Sequence, residues 1–300
     1  MNKDIAYAGL RASLAVERRL FPHRLRARAT ILSRQNPVVI MGRGKSGTRL
    51  LPLCLSALGV AMATRKSMPA ADVDDWVFRK VVKRMARRNL FVDSLAAVDE
   101  DDLRLFQKTA WRLFQRMQGN PQFATGWGWK YPETYLIVPY VYKTFPNARF
   151  IHIVRDGRDV AFRRHLTDDT ETPLGRQILG HLGVMDQPRH IRAALSWQFQ
   201  VEKYQAFAEQ IPADRRLDLR FEDLCADPVA VMGQVAEFLG LTMSDEAAAT
   251  IRGIIRPGTV SQYREESDAQ VQEVERLVHE TLTSLSYLPA PREGAALKSR

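Results

Sequence analysis

Cysteine is scarce in this chain, with two among 300 residues. Cys54 lies in an apolar helical pattern and Cys225 between Leu224 and Ala226. Both read as small buried hydrophobes of a reducing compartment rather than as a disulfide or a metal pair. Histidine is also sparse, at six, and the spacing of His165, His181 and His190 matches no zinc pattern. No apolar stretch approaches the roughly 18 residues that a membrane span requires. The first 34 residues carry arginines throughout and hold no continuous apolar core or small-residue cleavage site, which argues against a signal peptide. No internal repeat is visible. These absences leave a soluble, cytoplasmic protein without a transmembrane segment as the expectation.

Acidic residues are the minority charge: 34 Asp and Glu against 44 Lys and Arg, a net +10. That balance predicts attraction to anions and does not choose between nucleotides, acidic glycans, nucleic acid and membrane surface. With 45% hydrophobic residues the chain has material for a globular core.

The most informative stretch is 38–50. Val38-Val39-Ile40-Met41 is an uninterrupted β-branched and apolar run, the pattern of a buried parallel strand. It leads into Gly42-Arg43-Gly44-Lys45-Ser46-Gly47-Thr48-Arg49 and then a helical apolar pattern. Strand, glycine-rich turn and helix start together form an anion cradle, in which converging amides, a hydroxyl and an ammonium share one oxyanion. The spelling differs from a Walker A loop, which places its lysine after the second glycine; here the lysine is inside the loop.

Residues 1–36 read as a basic amphipathic extension of one or two helices broken near Pro22. Residues 58–63 suggest a second strand, and 76–117 two helical segments, the second capped by Ser94 or Asp99. The run Lys80 to Arg88 reads as the wet face of a helix, with an acidic polymer as the alternative partner. In 126–135 a strand ends near Lys130, a turn falls at Pro132, and a helix runs from Glu133 to about Lys143 with a kink at Pro139. Lys130 and Glu133 thereby fall where ligands sit in open α/β sheets. Trp127 and Trp129 read as core.

Residues 149–154 form another buried strand, followed by Arg155-Asp156-Gly157-Arg158-Asp159-Val160 and a helix, with the two aspartates bracing the turn. Residues 165–190 read as a flexible segment suited to an acceptor lid, and 191–210 as an amphipathic helix. Arg216 to Asp227-Pro228 reads as strand, turn and helix, closing at Gly240, and 269–285 as a last helix.

The loop Gly44-Lys45-Ser46-Gly47-Thr48, the turn Arg155-Asp156-Gly157-Arg158-Asp159 and the run Arg220-Phe221-Glu222-Asp223-Leu224 together resemble the PAPS-dependent sulfotransferases. The resemblance implies an α/β fold: a three-layer, P-loop-like domain over 37–290 with a central parallel sheet flanked by helices, and a disordered tail at 291–300. It implies a nucleotide donor, PAPS, held by Arg43, Gly44, Lys45, Ser46, Gly47, Thr48 and Arg49 around the phosphosulfate. It also implies Arg155 at the 3′-phosphate, Phe221 near adenine, and a late basic loop for which Arg256 and Arg264 are candidates. The family's serine eight positions after the arginine is Arg163 here, which still offers a bidentate phosphate donor.

The implied activity is sulfuryl transfer to a hydroxyl or amine of an unidentified small molecule or glycan, without a metal and without a nucleic-acid partner. Lys45 and Lys130 would stabilise the leaving group, and Glu133, or else His165, would serve as general base. The alternatives are a P-loop phosphotransferase using ATP, with Asp156 on magnesium, and a non-enzymatic polyanion-binding module.

Overall fold

The computed structural model describes residues 3–64, 72–255 and 260–289. Arg256 and the 291–300 tail lie outside the described residues. Five parallel strands, β1 (Val38–Met41), β2 (Ala61–Met62), β3 (Trp127–Lys130), β4 (Arg149–Val154) and β5 (Arg216–Arg220), form one sheet in the order β2-β3-β1-β4-β5. This is the expected α/β architecture, a central parallel sheet flanked by helices.

Residue alternation sends each strand's side chains to two different helical layers. Val38 and Ile40 of β1, with Ile151 and Ile153 of β4, pack against Leu51, Leu55, Met232, Val235 and Ile251 from the helices on one face. Val39 is in register with Trp129 and Phe150, so these three point to the other face. There Trp129 meets Phe78 edge-on at 5.6 Å and Phe145 at 5.8 Å. Gly128 separates the two tryptophans because a Cβ at that position would stand 2.1 Å from the Val38 carbonyl oxygen.

The chain clusters into two compact units. The first comprises residues 1–155 and 203–260 and carries the sheet. It includes two N-terminal helices, Lys3–Leu20 and Pro22–Ser33, which break at Pro22 as the sequence predicts. In the same unit Asp99 caps the Glu100–Met117 helix, accepting from the Asp102 amide at 2.8 Å.

The second unit comprises residues 156–202 and 261–300. Asp156 caps the short Gly157–Ala161 helix and pairs with Arg158 at 2.8 Å, while Arg158 also reaches Glu275 at 3.2 Å. Asp159 accepts from the amides of Ser261 at 3.0 Å and Tyr263 at 2.9 Å. Both aspartates thus brace the turn.

Several local expectations need correction. The segment after Pro132 winds first as a 3-10 helix, Pro132–Ile137, and only then as the α-helix Val138–Thr144, because Pro139 lacks the N–H that a single longer helix would use. The 165–190 segment contains a helix, Pro173–His181, whose cap Thr172 accepts from the Gly175 amide at 3.0 Å. The 221–226 stretch is helical rather than a turn. The last helix is two, Asp268–Leu277 and His279–Ser284, broken at Val278.

Candidate active site

The glycine-rich loop leaves the C-terminal end of β1 and enters the Leu50–Ala57 helix, as expected. Its path is fixed by neighbours rather than by flexibility. Gly42 takes φ +146°, and a Cβ there would lie 2.4 Å from the Ile153 carbonyl oxygen of β4. Gly47 takes φ +82°, and a Cβ there would lie 2.2 Å from the Phe221 ring. Lys45 adopts the left-handed conformation at φ +76°, which costs a non-glycine residue about 1–2 kcal/mol. Such strain collects where a loop must hold a particular shape.

Within the loop Lys45 is exposed, whereas Ser46 and Thr48 are buried. The Ser46 hydroxyl is buried and has no hydrogen-bond partner, which is costly unless a ligand supplies one. The Arg43 guanidinium turns back onto the loop and donates to the Gly44 carbonyl at 3.2 Å. One amide expected to face the anion does not: the Ser46 N–H donates to the Arg43 carbonyl at 3.2 Å. A tight turn consumes the amide of its closing residue, so this contact belongs to the loop and not to a ligand.

Phe221 brings the three motifs together. Its ring lies against Gly47 on the loop, and the Arg155 guanidinium carbon is 4.5 Å from its centroid. Arg155 directly follows β4, Phe221 directly follows β5, and both are buried. Motifs far apart in sequence therefore meet at the C-terminal end of one parallel sheet, the edge where open α/β sheets bind ligands.

On the other side of β1, Lys130 ends β3 and Glu133 lies in the first turn after it. Both are buried. Lys130 pairs with Asp72, a partner that no sequence pattern announced because it comes from a connecting segment 58 residues earlier. Burial lowers the Lys130 pKa, and the nearby Arg49 guanidinium of the loop adds to this, against the pull of Asp72 and Glu133. Burial pushes the Glu133 carboxyl above the usual range and Asp72 adds to it, while Lys83 and Lys130 oppose. Glu133 and Arg43 both act on the buried Tyr135 hydroxyl, whose pKa is raised chiefly by burial. Tyr135 and Asp72 are the residues that sequence reasoning missed.

The first unit thus gathers Arg43, Lys45, Ser46, Gly47, Thr48, Arg49, Lys130, Glu133, Arg155 and Phe221. Arg163 and His165 belong to the second. There Arg163 donates to the Gln262 side chain, and His165 Nδ1 lies 2.8 Å from the Thr167 hydroxyl. Arg264 sits in the 3-10 turn Gln262–Glu265. Among the described residues no His, Cys, Asp and Glu cluster is arranged to hold a metal, and no helix is long and apolar enough to cross a membrane.

A family model described as the sulfotransferase family matches residues 37–245, a span that includes the loop, the arginine turn and the Phe221 segment. The chain belongs to the sulfotransferase family. Among solved structures it is similar to the sulfotransferase STF9 from Mycobacterium avium, at 17% identity and a TM-score of 0.47 over 87% of this chain and 78% of that one. It is also similar to mouse sulfotransferase SULT7A1 complexed with PAP, at 14% identity and a TM-score of 0.49 over 85% and 86% of the two chains. A third is the sulfotransferase from Alicyclobacillus acidocaldarius, at 19% identity and a TM-score of 0.43 over 82% and 96%. A comparison with curated proteins finds no match.

Proposed function

We propose that this sulfotransferase uses PAPS as its donor and transfers the sulfuryl group to a hydroxyl or amine of a small molecule or glycan, with no metal. The observation that carries this reading is Phe221 lying between Gly47 and Arg155, which holds the loop and the arginine turn in one place. The orphaned Ser46 hydroxyl fits an anionic group in the loop.

PAPS supplies an activated sulfuryl group on a bridging oxygen. The residues of the chain do the rest. Lys45, Arg49, Ser46, Thr48 and the amides of 47–49 receive the phosphosulfate, with Arg43 and Gly44 shaping the loop. Arg155 takes the 3′-phosphate, and Arg256 is a further candidate there. Lys45 meets the negative charge that grows on the bridging oxygen, and Lys130, paired with Asp72, supports it; removing one such donor costs about 10²–10³ in turnover. Glu133 accepts the acceptor's proton as the new S–O or S–N bond forms and the sulfur's bond to the bridging oxygen breaks, releasing adenosine 3′,5′-bisphosphate; burial raises its pKa, the direction that strengthens a base. His165 is the alternative base.

The test is single-turnover transfer from ³⁵S-labelled PAPS to a panel of phenols, amines and oligosaccharides, beside γ-³²P-labelled ATP with magnesium. Label should move from PAPS in the presence of EDTA and not from ATP. Transfer from ATP alone would replace this reading with a kinase.

A further inference from the structure

The Trp76–Arg88 helix has a face that the proposed chemistry does not use. Trp76, Arg79, Lys80, Lys83, Arg84 and Arg87 recur at the three- and four-residue spacing of one helical stripe, while Val77, Phe78, Val81, Val82, Met85 and Ala86 on the opposite face are buried. From Trp76 to Arg87 the stripe is about 16 Å long. It lines a cavity of about 590 Å³ to which Asp72 and Tyr131 also contribute. Five cations against one carboxylate is an uneven lining. Arg79 and Lys83, Lys80 and Arg84, and Lys83 and Arg87 each stand four residues apart, where like charges weaken a helix.

Arg84 has its guanidinium 3.9 Å over the Tyr7 ring, whereas Lys83 and Arg87 are exposed. A second observation points to a ligand. The Tyr131 side chain is 2% exposed, lines the cavity, and its hydroxyl has no hydrogen-bond partner. Burial and the adjacent Glu133 and Asp72 carboxylates raise its pKa, so it is a donor in search of an acceptor atom.

The cavity also adjoins the candidate chemistry. Asp72 is both a lining residue and the ion-pair partner of Lys130, and Lys83 is among the charges acting on Glu133.

We infer that this cavity is the acceptor subsite and that the acceptor is polyanionic, an acidic saccharide carrying several sulfate or carboxylate groups along the stripe of Arg79, Lys80, Lys83 and Arg87. The Tyr131 hydroxyl donates to an oxygen of the saccharide, and Trp76 offers a ring face to an apolar sugar face. This rests on the sulfuryl-transfer reading and names the substrate class of the same site. An acceptor that already carries sulfate or carboxylate groups places this enzyme after a sulfating or an oxidising step, respectively.

The test is titration calorimetry with a heparin-derived octasaccharide at several salt concentrations, on the full chain and on Lys83→Gln/Arg87→Gln, whose side chains are exposed and do not pack the core. The octasaccharide should bind the parent protein with an affinity that falls steeply with salt, because bound counterions are released. The double variant should lose about tenfold or more in affinity and about half of the salt slope, while its affinity for adenosine 3′,5′-bisphosphate stays unchanged. Tyr131→Phe should weaken octasaccharide binding several-fold without lowering thermal stability.

Unchanged octasaccharide affinity in the double variant would overturn the proposal. So would equal binding of neutral maltooctaose, of 4-hydroxybenzoate with its single charge, or of a single-stranded DNA 12-mer. Loss of adenosine 3′,5′-bisphosphate binding in the parent protein would instead count against the donor reading, so the two failures are distinguishable.

Discussion

The Arg155 guanidinium carbon sits 4.5 Å from the centre of the Phe221 ring, and the same ring fills the space where a side chain at Gly47 would be. An aromatic ring that presents one surface to a cation and another to a loop backbone fixes both at once. Cation–π contacts of this partly desolvated kind are worth about 1–2 kcal/mol. Phe221→Leu should therefore lower affinity for adenosine 3′,5′-bisphosphate about tenfold, since 1.4 kcal/mol is a factor of ten. Calorimetry checks this, and an unchanged dissociation constant would show that Arg155 does not depend on the ring.

Gly47→Ala attacks the same contact from the loop side. The new Cβ meets the Phe221 ring, and the left-handed backbone at Gly47 penalises any side chain. Nucleotide binding should fall by at least tenfold while the far-ultraviolet circular dichroism stays that of the parent. Full binding by Gly47→Ala would mean that the loop tolerates displacement and is no cradle.

Lys45 separates stability from function. Its left-handed backbone favours glycine, so Lys45→Gly should leave the melting temperature unchanged or raise it. Turnover should nevertheless fall about 10²–10³-fold for want of the ammonium. A Lys45→Gly variant with parental turnover would remove the lysine from the chemistry.

Glu133 makes a prediction about pH. A base must be deprotonated, and its carboxyl is held above the usual range by burial, with Asp72 adding. The acid limb of kcat/KM should thus lie above the pH of an ordinary glutamate, about 4.3, and should vanish in Glu133→Gln together with most of the turnover. The stability sign runs the other way. A carboxyl whose folded pKa is raised favours folding below its unfolded pKa, and that contribution is lost as pH rises through the folded value. Glu133→Gln should consequently melt higher than the parent at neutral pH. An acid limb that persists in the variant would pass the role to His165.

How much of this was readable from the letters follows from how local each signal is. The loop was legible because glycine, strand and helix signals fall within fifteen consecutive residues. Strands β1 and β4 were legible because a buried parallel strand is a short apolar run. Trp127 and Trp129 were rightly read as core, since both pack among Phe78, Phe114 and Phe145. Asp72 was not legible, because one of three aspartates in an aperiodic connection carries no mark of the lysine it meets 58 residues later. Phe221 was noticed through its motif and expected near adenine; its packing under Gly47 is a tertiary contact that no spacing encodes. The Pro173–His181 helix escaped because glycines and threonines at 167–183 imitate a loop, whereas Thr172 and Pro173 are in fact its cap and first turn.

The central claim is that the loop, Arg155 and Phe221 form a site for a 3′-phosphorylated adenine nucleotide. Thermal unfolding with adenosine 3′,5′-bisphosphate, ADP or AMP, with and without magnesium, tests it most directly. A ligand at a hundredfold excess over its dissociation constant stabilises the folded state by about 2.7 kcal/mol. Selective stabilisation by the 3′,5′-bisphosphate in EDTA is the predicted result. An equal or larger shift with ADP and magnesium, or no shift with any of the three, would contradict it.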